Sequence, residues 1–188
     1  MGYSAEFCGV DCHFDESIPR IDINQFADDC SLSKRVSIYK DDQLFLILNV
    51  YTEIDKDGFL CEQCFKQILI GEQKIAILHG RHVHLFDIET HRIKSIFLND
   101  YVGHLYSVPN IRSETLSDDF LVTSFCYTFL INIHTGIIWR SKRCAIDGVL
   151  IHDIEDNVIY GSGEWDPPGG WEDFTLSLKD GSFIDSGS

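Results

Sequence analysis

The chain has 188 residues, enough for one domain of ordinary size or two small ones. Its 30 acidic residues against 15 Lys and Arg leave a formal net charge of −15, which argues against nonspecific binding to nucleic acid or anionic membranes, because those surfaces require basic residues. A hydrophobic content of 44% excludes disorder over the whole chain. We therefore predict a single globular domain over residues 1–188 whose natural partners are basic.

The amino-terminal residues contain no basic segment followed by an apolar stretch, so they do not match a secretory leader. The myristoylation pattern fails at Glu6, where Ser or Thr is required. The longest apolar run, residues 44–48, is too short to span a membrane. The seven cysteines are odd in number and irregularly spaced, as is typical of reduced thiols. These features predict a cytoplasmic location.

The first part of the chain, residues 1–66, is predicted to be an irregular unit. Residues 24–35 are compatible with a short helix, and residues 43–51 have the apolar pattern of a strand. Across residues 60–69, apolar side chains fall at helical spacing, which predicts one or two turns of amphipathic helix. We expect mostly strand here, with one or two short helices.

The second part, residues 67–188, is predicted to consist of short strands separated by turns. Four strands fit into about thirty residues, at 67–70, 74–78, 82–88 and 92–98. Connections of two to four residues cannot cross over to form a parallel pair, so this spacing predicts an antiparallel meander.

Three segments of this part repeat one pattern, namely residues 75–93, 120–139 and 158–184. The equivalent positions Ile88, Ile133 and Leu178 are spaced 45 residues apart. In each copy an Asp, Asn or Ser precedes that position and is expected to cap the following turn. A period of 40–50 residues with several strands per unit is typical of propeller blades.

The second copy, FLINIHTGIIW at residues 129–139, resembles the blade motif of WD-type and quinoprotein-type β-propellers. The three copies cover about residues 75–187. The resemblance implies an all-β fold, a propeller-like array of short antiparallel meanders preceded by the irregular unit. At 45 residues per blade the chain holds just over four blades, so either residues 1–66 supply the first blade or the ring stays open. An open ring leaves strand edges to be covered by the amino-terminal segment or by another chain.

The acidic residues are concentrated towards the carboxy terminus. Residues 61–150 carry nine acids and nine bases, whereas residues 151–188 carry nine acids and one base, Lys179. Residues 164–173 interleave two tryptophans with four acids across a Pro-Pro-Gly-Gly turn, and tryptophan is a common interface anchor. We predict that this region binds a partner through nine residues: Asp153, Glu155, Asp156, Glu164, Trp165, Asp166, Trp171, Glu172 and Asp173.

Cysteine pairs provide one candidate metal site. Cys61 and Cys64 form a CxxC, and Cys8, Cys12 and His13 could complete a zinc site with thiolate and imidazole ligands. However, Cys61 and Cys64 occupy apolar positions of the helical pattern, which favours buried thiols in a core.

Two further segments contain candidate ligands. His79, His82 and His84 are the densest histidine group, but no carboxylate accompanies them in the strand pattern, which favours a structural role. Residues 53–58 resemble the opening of a calcium-binding EF-hand loop, yet Cys64 stands where the loop requires a glutamate. We therefore interpret residues 55–58 as a hairpin turn and predict neither a metal nor a cofactor.

No motif of hydrolases, phosphate-binding loops or metalloproteases is found, so we do not predict an enzyme. A small, very acidic, cytoplasmic protein with blade-like repeats resembles, in overall character, the immunity proteins that bacteria pair with toxins of contact-dependent or polymorphic systems. The resemblance implies binding and neutralisation of a basic toxin domain, a nuclease in particular. One alternative is a propeller-type enzyme or small-ligand binder that uses the histidines or the CxxC. Another is a subunit whose blade edges pair with strands of a larger assembly.

Overall fold

A computed structural model describes residues 2–26 and 29–184. Within those ranges all regular structure is β strand, which confirms the all-β prediction. Residues 3–53 form sheet 1, which is more regular than the sequence indicated. Its strand order is β1-β3-β4-β2, and only the β2–β4 pair is parallel. The strands are β1 (Tyr3–Cys8), β2 (Arg20–Ile23), β3 (Cys30–Lys40) and β4 (Gln43–Glu53).

Three antiparallel meanders follow, in which neighbouring strands are consecutive along the chain. The first of them confirms the four predicted strands of residues 67–98 to within two residues at each end. Sheet 2 contains β5 (Gln67–Ile70), β6 (Lys74–His79), β7 (His82–Asp87) and β8 (Ile93–Phe97). Sheet 3 contains β9 (Val102–Ser107), β10 (Asp119–Ser124), β11 (Thr128–Asn132) and β12 (Gly136–Arg140). Sheet 4 contains β13 (Val149–Glu155), β14 (Val158–Asp166) and β15 (Gly170–Ser177).

The expectation of one or two short helices is wrong for the described residues. The second half of the predicted helix at 24–35 is strand, because β3 pairs with β4 from Cys30 onward; Ala27 and Asp28 lie outside the described residues. Residues 60–66 form a loop before β5. Cys61 is buried there while Cys64 and Phe65 are exposed, so the apolar residues do not share one buried face. Pairing with neighbouring strands overrides the local helical spacing.

Adjacent sheets pack face to face around three apolar cores. Alternate residues of a central strand point to opposite sides, so each inner sheet contributes to two cores. In β6, Ile75 and Ile77 pack towards sheet 1, and Ala76 and Leu78 pack towards sheet 3. The third core joins sheets 3 and 4 and includes Leu121, Leu130, Trp139, Ile151, Ile159 and Leu176.

The four sheets form an open series. The first strands of successive sheets touch one another, β1 with β5, β5 with β9, and β9 with β13. Among the described residues no core cluster joins sheet 4 back to sheet 1, and no closed sheet is found. The series therefore ends in two outward sheet faces, one on sheet 1 and one on sheet 4.

The repeated positions occupy equivalent places in the last three sheets. Ile88, Ile133 and Leu178 each follow the third strand of their sheet. The predicted turn caps form in two copies. The Asp87 carboxylate accepts hydrogen bonds from the amide and the hydroxyl of Thr90, and the Asn132 side-chain oxygen accepts them from the amide and the hydroxyl of Thr135. In sheet 4 the equivalent turn is capped instead by Asp180, which accepts from Ser182.

Candidate functional site

The candidate site is the face of sheet 4 that points away from sheet 3. In the strand register, Ile154, Ile159 and Leu176 lie side by side and are part of the third core. The next row along the sheet must point the other way. We call this outward side the acidic face; its members are Leu150, Asp153, Tyr160, Ser162, Glu164, Trp171, Asp173 and Thr175.

Charge of one sign dominates the strands that form this face. Strands β13, β14 and β15 contain six acids and no lysine or arginine. Asp153 and Asp173 are exposed, and Tyr160 and Trp171 remain 40% and 42% exposed. Carboxylates beside half-exposed aromatic rings fit a partner that offers lysine or arginine, since cations pair with carboxylates and stack on aromatic rings.

The tip of sheet 4 is a β-hairpin. Strand pairing continues through Glu164↔Trp171 to Asp166↔Gly170, and Gly169 takes a positive φ of 107° in the turn. The Gly169 amide donates to Glu164 Oε1 at 2.6 Å, so this carboxylate holds its own turn. Trp171 lies against Gly148, where an added Cβ would be 3.3 Å from the indole ring.

The nine predicted partner-binding residues fall into separate groups. Asp153, Glu164, Trp171 and Asp173 lie on the acidic face, and Glu155 lies at its far edge. Three others surround the hairpin tip, with Trp165 and Asp166 at the turn and Glu172 on the opposite side of the sheet. Asp156 sits in the β13–β14 turn, at the other end of strand β14. Nine strand residues span roughly 30 Å, so Asp156 lies at the opposite end of sheet 4 from the hairpin tip.

Sequence reasoning missed Tyr160, Leu150 and Thr175 on this face. Tyr160 pairs with Asp153 and Thr175, and Leu150 pairs with Ser162 beside Asp173. His152, at a bulge in β13, bonds Ser162 Oγ through Nε2 at 2.8 Å. Alternation along β14 would have placed Tyr160 and Ser162 on one side, but the register that joins them to Asp153 and Asp173 follows only from the hairpins.

The outward face of sheet 1 differs because its own chain crosses it. Strands β1 and β2 lie on opposite edges of the sheet, so the connecting loop must pass over β3 and β4. The Arg35 guanidinium donates to the Cys12 carbonyl at 2.8 Å and that of Arg20 to the Phe14 carbonyl at 3.4 Å. Ile47 is fully buried. The acidic face has no comparable cover among the described residues.

The histidines lie inside the protein. His82 and His84 point towards sheet 1, opposite Val83 and Leu85, and their rings stack at 5.6 Å. His84 Nδ1 pairs with Ser95 Oγ at 2.8 Å. His79 Nε2 lies 2.8 Å from Ser33 Oγ. All of these contacts are with other side chains of the chain, in agreement with the structural role that the strand pattern predicts.

Glu62 also approaches the buried His79. Its Oε2 lies 3.0 Å from His79 Nε2, and its Oε1 lies 3.4 Å from Lys34 Nζ. Serine, histidine and a carboxylate are therefore adjacent, but Ser33 and Glu62 approach the same ring nitrogen. A nucleophilic triad needs its base to contact the two groups through different nitrogens. The arrangement does not support acyl transfer.

The candidate calcium-binding segment is explained by local structure. Asp55 Oδ1 accepts from the amides of Asp57 and Phe59, both at 2.9 Å, and Ile54 pairs with Leu60, as in a hairpin turn. Within residues 2–26 and 29–184 no cluster of three histidine, cysteine, aspartate or glutamate side chains is arranged to hold a metal ion.

A cleft of about 580 Å³ lies between the first strands of sheets 1, 2 and 3, where a small ligand of a propeller would be sought. Gln67 spans it, donating to the Leu105 carbonyl at 3.2 Å and accepting from the Leu105 amide at 2.9 Å. Its amide group is thus used to join β5 to β9. The Gln67 amide group is therefore not free to bind a small ligand in this cleft.

Comparisons with known proteins give no family for the chain. A scan against protein-family models found no match, and no curated protein matches the sequence. Helices that are long and apolar enough to cross a membrane are not found in the described part of the chain. Function must therefore be inferred from the geometry of the chain itself.

Proposed function

We propose that the protein binds a basic protein through the acidic face and, as an immunity-type protein, neutralises a toxin domain. The observation that carries this proposal is the outward face of sheet 4, on which the described residues leave Asp153, Asp173, Tyr160 and Trp171 exposed and whose strands contain no lysine or arginine. The net charge of −15 would steer a basic partner towards the protein and raise the association rate. Aromatic anchors would then slow dissociation.

Neutralisation follows from the same chemistry. A toxin that cleaves nucleic acid needs a basic surface to hold phosphates. An acidic, aromatic surface that pairs with those lysines and arginines would occupy the place of the substrate. Inhibition then requires no catalytic group on this chain.

The proposal is tested with two pairs of charge reversals that change the net charge equally. The first pair, Asp153→Lys with Asp173→Lys, alters the acidic face. The control pair, Glu72→Lys with Glu114→Lys, alters exposed acids at the ends of sheets 2 and 3 away from the hairpin tip. We expect the wild type and the control to capture the same basic protein from the native cell. The acidic-face pair should lose at least nine-tenths of that capture.

The immunity role is tested by growth. Expression of the captured basic protein alone should arrest growth, and co-expression of the wild type or the control pair should restore it, whereas the acidic-face pair should not. Equal capture and equal rescue by both pairs would contradict the proposed surface. A captured protein that is acidic, or harmless when expressed alone, would contradict the proposed function.

A further inference from the structure

Exposed aromatic side chains collect at one end of the sheet series. We call this the aromatic end: the loops that follow β4, β6, β8, β10, β12 and β14, together with the strand ends beside them. Its exposed rings are Phe59 and Phe65 in the loop after β4, and Phe97, Trp165 and Trp171 at strand ends. Phe59 is 71% exposed, the largest fraction among the exposed large apolar side chains of the described residues. Exposed apolar rings clustered on one surface mark an interaction site more often than chance exposure.

The loops of the aromatic end are joined to one another from sheet 2 to the hairpin tip of sheet 4. Four backbone amides at this end each donate to the carbonyl of a preceding loop. The bonds are Val102 to Gly80 at 3.1 Å, Phe125 to Tyr101 at 2.9 Å, Gly148 to Phe125 at 2.9 Å, and Glu164 to Gly148 at 2.9 Å. The aromatic end and the acidic face are therefore parts of one continuous surface that meet at Trp171.

Several rings of this end are held in place by neighbours. Phe65 packs on Phe125 with ring centres 6.1 Å apart. The Arg81 guanidinium lies 4.9 Å from the centre of Phe97 and also donates to Glu53 at 2.8 Å. Rings that are already oriented lose little conformational entropy when a partner covers them.

The acidic face alone is smaller than a standard protein interface. Three strands spaced ~4.8 Å apart and up to nine residues long present roughly 400 Å². A standard protein interface buries about 800 Å² on each partner. The additional contact area must come from surfaces that adjoin the acidic face. The aromatic end adjoins it at Trp171 and carries four further exposed rings.

We propose that the aromatic end is the second half of the partner-binding surface, and that the basic protein seated on the acidic face extends over Trp171 to Phe97 and Phe59. This inference rests on the proposed function. Sheets pack about 10 Å apart, so crossing from sheet 4 to the loop after β4 spans roughly 30 Å, the width of a standard interface. A second copy of this chain is a poorer occupant because each copy carries a net charge of −15.

Site-specific photo-crosslinking tests the inference. A photoreactive phenylalanine analogue is placed at Phe59, at Tyr160 on the acidic face, or at Ile138, which is 48% exposed on the outermost strand of sheet 3. In native cells we expect positions 59 and 160 to crosslink to the same basic protein and position 138 not to do so. Binding of that purified protein should weaken at least tenfold in Phe59→Arg and change less than threefold in Ile138→Arg.

The outcomes separate this inference from the proposed function. A crosslink from position 160 without one from position 59, together with unchanged binding by Phe59→Arg, overturns the extended surface and leaves the acidic face standing. A crosslink from position 59 to a second copy of this chain also overturns it. If the captured basic protein crosslinks from neither position 59 nor position 160, both the proposed function and this inference are overturned.

Discussion

His79, His82 and His84 lie in the packed interface between sheets 1 and 2. Burial lowers the pKa of His84 to about 3 and that of His82 to about 4, because an imidazolium ion loses its hydration there. Burial also lowers the pKa of His79, and the Glu62 carboxylate 3.0 Å away only partly opposes the effect. The three side chains are therefore neutral in the folded protein near neutral pH.

These histidines make the fold sensitive to mild acid. Below pH ~6.5 the unfolded chain protonates its histidines while the folded chain does not, so the free energy of unfolding falls as the pH falls. Each buried histidine contributes up to about 1.4 kcal/mol per pH unit in this range. We expect His84→Leu to remove one such contribution between pH 6.5 and 5, measured by urea unfolding.

A packing control separates titration from a change of shape. Ile77 pairs with His84 across β6 and β7, so Ile77→Leu perturbs the same site without removing a titrating group. That variant should keep the pH dependence of the wild type. An identical pH dependence in His84→Leu would show that His84 does not contribute to acid sensitivity.

The β14–β15 hairpin depends on a close approach of the loop before β13. The amide of Ile146 donates to the Glu164 carbonyl at 2.9 Å, which draws the loop against β14. An added Cβ at Gly163 would overlap the carbonyl oxygen of Cys144. A glycine inside a strand is thus required here by a neighbouring backbone.

Gly163→Ala is expected to lower the free energy of unfolding by about 3 kcal/mol, since the overlap is with backbone atoms that cannot rotate away. Gly9→Ala is the control, because the atoms nearest to its added Cβ would be 3.9 Å away and a change within about 0.5 kcal/mol is expected. Denaturant unfolding measures both. Equal stability of the two variants would contradict the close packing at Gly163.

At the level of elements, alternation and turn chemistry predicted the strands of sheet 2 well. These local patterns failed in sheet 1, where hydrogen bonds between strands that are distant in sequence determine the structure. Residues 30–35 have a helix-compatible pattern, yet they form part of strand β3 because β4 supplies their hydrogen bonds. Strand β2 carries only four residues, and its pairing with β4 is parallel, which no local turn signals.

At the level of the whole molecule, the charge map predicted the acidic strands of sheet 4 but not their arrangement. Asp153 and Asp173 share a face with Tyr160 only because two hairpins set the register. Phe97 and Trp171 are far apart in sequence, and the loop hydrogen bonds between sheet 2 and the hairpin tip of sheet 4 are nonlocal. Packing of sheet on sheet therefore determines which residues form one surface, and no local pattern encodes it.

Under the proposed function, a basic partner covers the outward face of sheet 4. Hydrogen–deuterium exchange of the chain alone and in complex with the captured basic protein measures this coverage. We predict slower exchange in β13 and β15 and in the loops of the aromatic end, with no change in β1 and β2. Protection confined to β1–β4, with β13 and β15 unchanged, would contradict binding at the acidic face.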